Sequence, residues 1–115
     1  MSTSFTEYKI QQDCFVWFWN TFPELKLTMF HVPNGGQRGR VESNRLKSIG
    51  VVAGIPDLCW LYNGKAYFFE MKRPKSGVLS ERQQMVHFAL KRQKIDVFLI
   101  TTFEQFQQIV QSIVK

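Results

Sequence analysis

The pair Asn63-Gly64 stands between two apolar, aromatic-rich runs, Pro56-Asp-Leu-Cys-Trp-Leu-Tyr and Lys65-Ala-Tyr-Phe-Phe-Glu-Met-Lys. Asn-Gly accepts the positive φ that both central positions of a type I′ turn require, so the two runs are read as one β-hairpin. With a two-residue turn, Tyr62 faces Lys65 and the numbers of paired residues sum to 127. Asp57 then falls directly opposite Glu70, in the arrangement that puts two Cβ atoms about 4.5–5.5 Å apart on one face of a sheet. Lys72 projects from that same face, whereas Met71 points to the other side. A three- or five-residue loop would slip the register by one and part the two carboxylates.

Opposed like charges destabilise a hairpin, and a divalent cation between them removes the repulsion. Mg²⁺ accepts one or two carboxylates and completes its shell with water and phosphate oxygens. Such an ion polarises a phosphoryl oxygen and lowers the pKa of water, while a neighbouring ammonium orients that water and offsets developing charge. Asp57, Glu70 and Lys72 on one face therefore point to phosphodiester hydrolysis. The competing account is structural: Glu-x-Lys recurs by accident on strand edges, and Pro56-Asp57 serves equally well as a turn.

Ser4 and Glu7 form a capping-box pattern that opens a helix over roughly Phe5 to Thr21, with Ile10, Cys14, Phe15 and Phe18 at helical spacing before Pro23. Leu25, Leu27 and Met29 alternate with Lys26, Thr28 and Phe30 and read as a first strand, stopped by Pro33-Asn-Gly-Gly. Gly35, Gly36 and Gly39 interleave with Arg38 and Arg40 in a candidate phosphate-gripping loop, which is equally readable as an ordinary polar loop, before a short helix from about Glu42 to Ser48. Ser80 with Gln83 caps a helix ending near Gln93, Ile95 to Ile100 is an apolar strand, and a cap at Thr101 or Thr102 opens a last helix with Phe103, Phe106, Val110 and Ile113 on its apolar face. The order α-β-(α)-β-β-α-β-α argues for an α/β domain, a small mixed sheet flanked by helices.

At 115 residues the chain has material for a single domain, with about 60–70% of its unfolded surface buried. Eleven Phe, three Tyr and three Trp exclude a disordered chain. No apolar run approaches the roughly 20 residues of a membrane span, and no secretory leader is evident, so an intracellular, cytoplasmic location is expected. Cys14 and Cys59 lack the spacing of a disulfide framework or zinc site and are read as core residues. The net charge is +6, with residues 35–50 carrying +3 and residues 65–94 another +6. Clustered cations draw a polyanion by field and counterion release, and nucleic acid is a natural partner; a solvated basic face is the bland alternative.

Gly54-Ile-Pro-Asp-Leu, Phe69-Glu-Met-Lys-Arg and Gly77-Val-Leu-Ser-x-x-Gln, with Glu70 thirteen positions after Asp57, together resemble the PD-(D/E)XK nuclease superfamily, and within it the virus-type replication-repair nuclease (VRR-NUC) branch. The similarity spans roughly Glu7 to Ile100. It implies a restriction-endonuclease-like αβββαβ core and Mg²⁺- or Mn²⁺-dependent DNA hydrolysis leaving a 5′-phosphate. It also implies that Asp57, Glu70 and the Met71 carbonyl hold the metal and that Lys72 positions or activates the attacking water. Glu7 and Gln83 match further site positions of that branch, although each has a competing explanation in its capping box. Stand-alone phage and bacterial members resemble Holliday-junction resolvases, which implies a homodimer acting on branched DNA in a prokaryotic or phage-infected cell.

Two sites for symmetric cleavage call for two subunits, and a two-fold dimer is the commonest way to supply them. Phe15, Trp17, Phe18 and Trp19 offer more aromatic surface than one helix side buries, either as a dimer seam or as core. Arg38, Arg40, Arg73, Lys75 and Arg82 are candidate DNA contacts. His31 and His87 come with no nucleophile and no metal-ligand spacing, and the mechanism needs neither. The rival reading of the whole chain is a non-catalytic nucleic-acid-binding or protein-interaction module on the same fold.

Overall fold

Asn63 and Gly64 both take positive φ, 53° and 81°, as a type I′ turn demands, and close a hairpin of β2 (Leu58–Tyr62) and β3 (Lys65–Met71). The register runs from Tyr62↔Lys65 to Leu58↔Phe69, so the expected pairing holds along its length. The computed structural model describes residues 2–34, 39–75 and 77–114, with side chains from residue 6 onward. Around the hairpin lie α1 (Ser2–Thr21), a 3₁₀ segment (Pro23–Thr28), β1 (Met29–His31), α2 (Arg40–Ser48), α3 (Glu81–Arg92), β4 (Asp96–Ile100) and α4 (Phe103–Ile113). The sheet order is β1-β2-β3-β4, antiparallel except for the parallel pair β3 and β4.

Side-chain alternation sorts the sheet into two faces. Leu58, Trp60, Tyr67, Phe69, Met71 and Ile100 turn towards α1 and α4, where they bury with Cys14, Phe18, Phe106 and Val110 in one core. Rings interlock edge to face, with Phe18 against Trp60 at 5.5 Å and Phe69 against Phe106 at 4.9 Å between centroids. Each such ring contributes roughly 2–3 kcal/mol by leaving water. The Trp60 indole N–H is buried without a hydrogen-bond partner among the described residues. The opposite face carries Glu70 and Lys72 under α3, so the apolar core and the polar site occupy different sides of one strand.

Two expectations change. Leu25 to Thr28 belongs to a 3₁₀ turn, and the first strand shrinks to Met29–His31. Pro23 sets the φ of its first turn, Leu25 N–H donates to Phe22 O at 2.9 Å, and Thr28 Oγ1 donates to Leu25 O at 2.6 Å, local bonds that outcompete a ladder. Helix α1 begins at Ser2, three residues ahead of the expected start, because Ser2, Thr3 and Ser4 all offer cap chemistry and the pattern does not single one out. The Ser4 side chain lies outside the described residues. For α4 the cap is Thr102, with Gln105 completing the box.

Both cysteines are buried and unpaired. Burial first, then the charges of Asp13 and Glu104, push the Cys14 thiol up to about 12, and burial raises Cys59 as well, so neither is a thiolate nucleophile at neutral pH. Of the α1 aromatic cluster, Phe18 is wholly buried, Trp17 packs on Phe22, Phe103 and Phe106, and Trp19 stays 38% exposed with Lys26 Nζ 4.8 Å from its ring centre. Among the described residues no helix is long and apolar enough to cross a membrane.

Candidate active site

Asp57 precedes β2 by one residue and is pinned from two sides. Its carbonyl accepts from Val32 N–H at 2.9 Å and lies 2.8 Å from His31 Nδ1, which extends the β1–β2 ladder past its last pair. A carbonyl oxygen only accepts, so His31 Nδ1 carries the proton there. On the other side Met71 N–H donates to Asp57 Oδ2 at 2.7 Å, a bond across the hairpin that aims the carboxylate at the end of β3. Gly54 makes the approach to Asp57 possible. Its φ is +88°, and a Cβ there would sit 2.9 Å from Arg82 Cγ and 3.0 Å from Arg82 O, so the loop lies flush on the first turn of α3 only with glycine.

Glu70 is 2% exposed, and both its oxygens are engaged from α3. Gln83 Nε2 donates to Oε2 at 3.2 Å and His87 Nε2 stands 3.0 Å from Oε1. Gln83 also completes the helix cap, since its Oε1 accepts from Ser80 N–H at 2.9 Å. The capping and site explanations for this glutamine are thus compatible, because opposite ends of one amide serve them. Lys72 follows Glu70 by two residues on the same face, nearly buried, with its backbone N–H donated to Ile100 O at 2.9 Å. Glu7 reaches over from α1, and its Oε2 accepts from Arg73 N–H at 3.3 Å.

Electrostatics mark this cluster as unsatisfied. Burial, then the Asp57 charge and a hydrogen bond with the Asp57 carboxyl, push Glu70 up to about 9, against the opposing pull of Lys72. Asp57 is raised too, chiefly by burial, while the Met71 N–H, the bond to Glu70 and the charge of His31 hold it down. The charge of Glu7 raises both. Without a cation the pair therefore keeps a proton near neutral pH. An oxygen-only pair that retains a proton for want of a counter-charge fits a hard divalent cation in place of that proton. Among the described residues no group of three or more His, Cys, Asp and Glu side chains is gathered for a metal, so the protein donors number fewer than a structural zinc site needs.

The basic candidates are scattered. Arg38 lies outside the described residues. Arg40 opens the exposed helix α2, Lys75 is exposed with φ +68°, and Arg73 is half-buried beside Glu7. Arg82 donates from Nε to Ala53 O at 2.8 Å and, with Lys47, Val51 and Val52, lines a concavity of about 500 Å³ next to the Gly54 approach. A concavity of similar size, about 510 Å³, lies at the hairpin turn among Asn63, Lys65, Lys94 and Asp96, at the far end of β3 from Glu70. It contains no carboxylate pair.

His31 and His87 are the residues that sequence reasoning passed over. The signal for His87 was its place four residues after Gln83, one helical turn along the same face of α3. For His31 no local signal existed, since its partner is brought by strand pairing.

No protein-family model matches the sequence, and no curated protein matches it either. Among solved structures, one similar chain is a "VRR_NUC domain protein", 19% identical, with a TM-score of 0.76 over 95% of this chain and 88% of that one. At that identity the likeness is one of fold: the small mixed sheet and its flanking helices are shared.

Proposed function

We propose that this chain is a divalent-cation-dependent DNA endonuclease. The observation that carries the reading is the meeting of the half-buried Asp57 and the buried Glu70 at the end of the hairpin, beside the nearly buried Lys72. Asp57, Glu70 and the Met71 carbonyl would hold Mg²⁺ or Mn²⁺, with Glu7 approaching from α1. When bound, the cation polarises a phosphoryl oxygen and lowers the pKa of water. Lys72 orients the attacking water and offsets charge growing on the phosphate, and Gln83 keeps Glu70 turned towards Asp57. Arg38, Arg40, Arg73, Lys75 and Arg82 would grip the backbone of the DNA, consistent with a net charge of +6. Hydrolysis in this arrangement would leave a 5′-phosphate.

The reading extends to branched DNA, such as a four-way junction, cut by a homodimer. A subunit of this size has one site, and the exposed apolar side chains Val16, Trp19 and Phe30 supply surface for a seam. The test is incubation with labelled four-way junction, flap, fork, single-stranded and plain duplex DNA, in Mg²⁺ and in chelator. Cutting of the junction at symmetric positions, in Mg²⁺ only, is the expected result. Equal cutting of every substrate would sink the selectivity for branches, and no cutting of any would favour a non-catalytic nucleic-acid-binding module.

A further inference from the structure

We infer that His87 is the residue that fixes the Glu70 carboxylate in the orientation needed to hold a divalent cation, a positioning role that rests on the nuclease reading above. Two side chains from successive turns of α3 meet the two oxygens separately, Gln83 Nε2 donating to Oε2 at 3.2 Å and His87 Nε2 lying 3.0 Å from Oε1. A carboxylate oxygen has two lone-pair directions, so each keeps one for an ion. With contacts from α3 on both oxygens the carboxylate plane is held against turning about its last bond; without His87, α3 holds it at Oε2 alone.

The contact is buried on both sides. A Glu70 carboxylate that holds a cation is ionised and only accepts, so His87 must present an Nε2–H to it. His87 is 6% exposed, and burying an imidazole costs more than burying a leucine of similar bulk unless its N–H is used. Here it is used on the one side chain that the proposed chemistry most needs held still. Outer partners of this kind typically tune metal affinity by 10–100-fold.

The experiment titrates Mn²⁺ into the unaltered protein, His87→Leu and His87→Gln, following the free-ion electron paramagnetic resonance signal, with circular dichroism to verify folding. His87→Leu fills the space without a donor, whereas His87→Gln restores an N–H at the Nε2 position. The expected result is an affinity about 10–100-fold weaker for the leucine variant and a return to within about threefold for glutamine. Wild-type affinity in His87→Leu would overturn the positioning role and leave the nuclease reading standing. Equal weakness in both variants would overturn it too, by showing that ring volume matters and the donor does not. Absence of Mn²⁺ binding by the unaltered chain would bring down the nuclease reading itself. Should His87→Leu not fold, side-chain ¹⁵N spectra of the unaltered protein with Mg²⁺ decide the matter: a proton on Nε2 is expected, and a ring protonated on Nδ1 alone would overturn the inference.

Discussion

Lys72→Ala should bind DNA as the unaltered chain does, yet hydrolyse it about 10²–10⁴-fold more slowly. The side chain projects beside Glu70 on the α3 face, nearly buried, where an ammonium acts through a poorly screening medium. Its backbone is held independently by the Lys72 N–H bond to Ile100 O, so truncation leaves β3 in place. Lys72 also pulls the Glu70 pKa down, and without it Glu70 holds its proton more tightly. The comparison is therefore made at saturating Mg²⁺, with DNA affinity measured separately by fluorescence anisotropy. Cutting at the wild-type rate would remove Lys72 from the mechanism.

Asp57→Asn is expected to stabilise the metal-free protein while destroying the metal site. In the folded state Glu70 is pushed up to about 9 from an ordinary 4.5, so the native chain binds a proton that the unfolded chain has released. Between those pH values the unfolded state binds fewer protons, and stability falls as pH rises. An asparagine keeps the acceptor for Met71 N–H, offers an N–H to Glu70 and removes the opposing charge. The variant should unfold at a temperature higher by roughly 4 °C or more at pH 8, an effect of about 1 kcal/mol in a domain of this size. Mg²⁺ should raise the melting temperature of the unaltered protein most at the alkaline end of this window, and should leave Asp57→Asn unmoved. Thermal melts from pH 5 to pH 9, with and without Mg²⁺, check both statements; a flat pH profile for the metal-free chain would contradict them.

The hairpin was fully legible because Asn63-Gly64 dictates its own turn geometry, and register then follows by counting. That counting alone placed Asp57 beside Glu70. The Leu25–Thr28 stretch was misread because a short alternating run fits a strand as well as a proline-led 3₁₀ turn, and the deciding bonds, Leu25 N–H to Phe22 O and Thr28 Oγ1 to Leu25 O, leave no trace in hydrophobic periodicity. The histidines behind the carboxylates were hidden for a different reason. His31 meets Asp57 through strand pairing 26 positions apart in the chain, and His87 meets Glu70 through packing of α3 on the sheet 17 positions apart. Neither separation is itself legible in the chain, and His87 is marked only by its place one helical turn after Gln83. Gln83 lay between these cases, since its cap was visible and its second bond, to Glu70, appeared only with the fold.

Whether Asp57 and Glu70 form a divalent-cation site is decided by a Mn²⁺ titration of the unaltered protein beside Asp57→Asn at several pH values. Saturable binding that tightens as pH rises is expected, because the ion displaces the proton held on Glu70, and no such binding is expected in the variant. Mn²⁺ taken up equally by both proteins, or by neither, would contradict it.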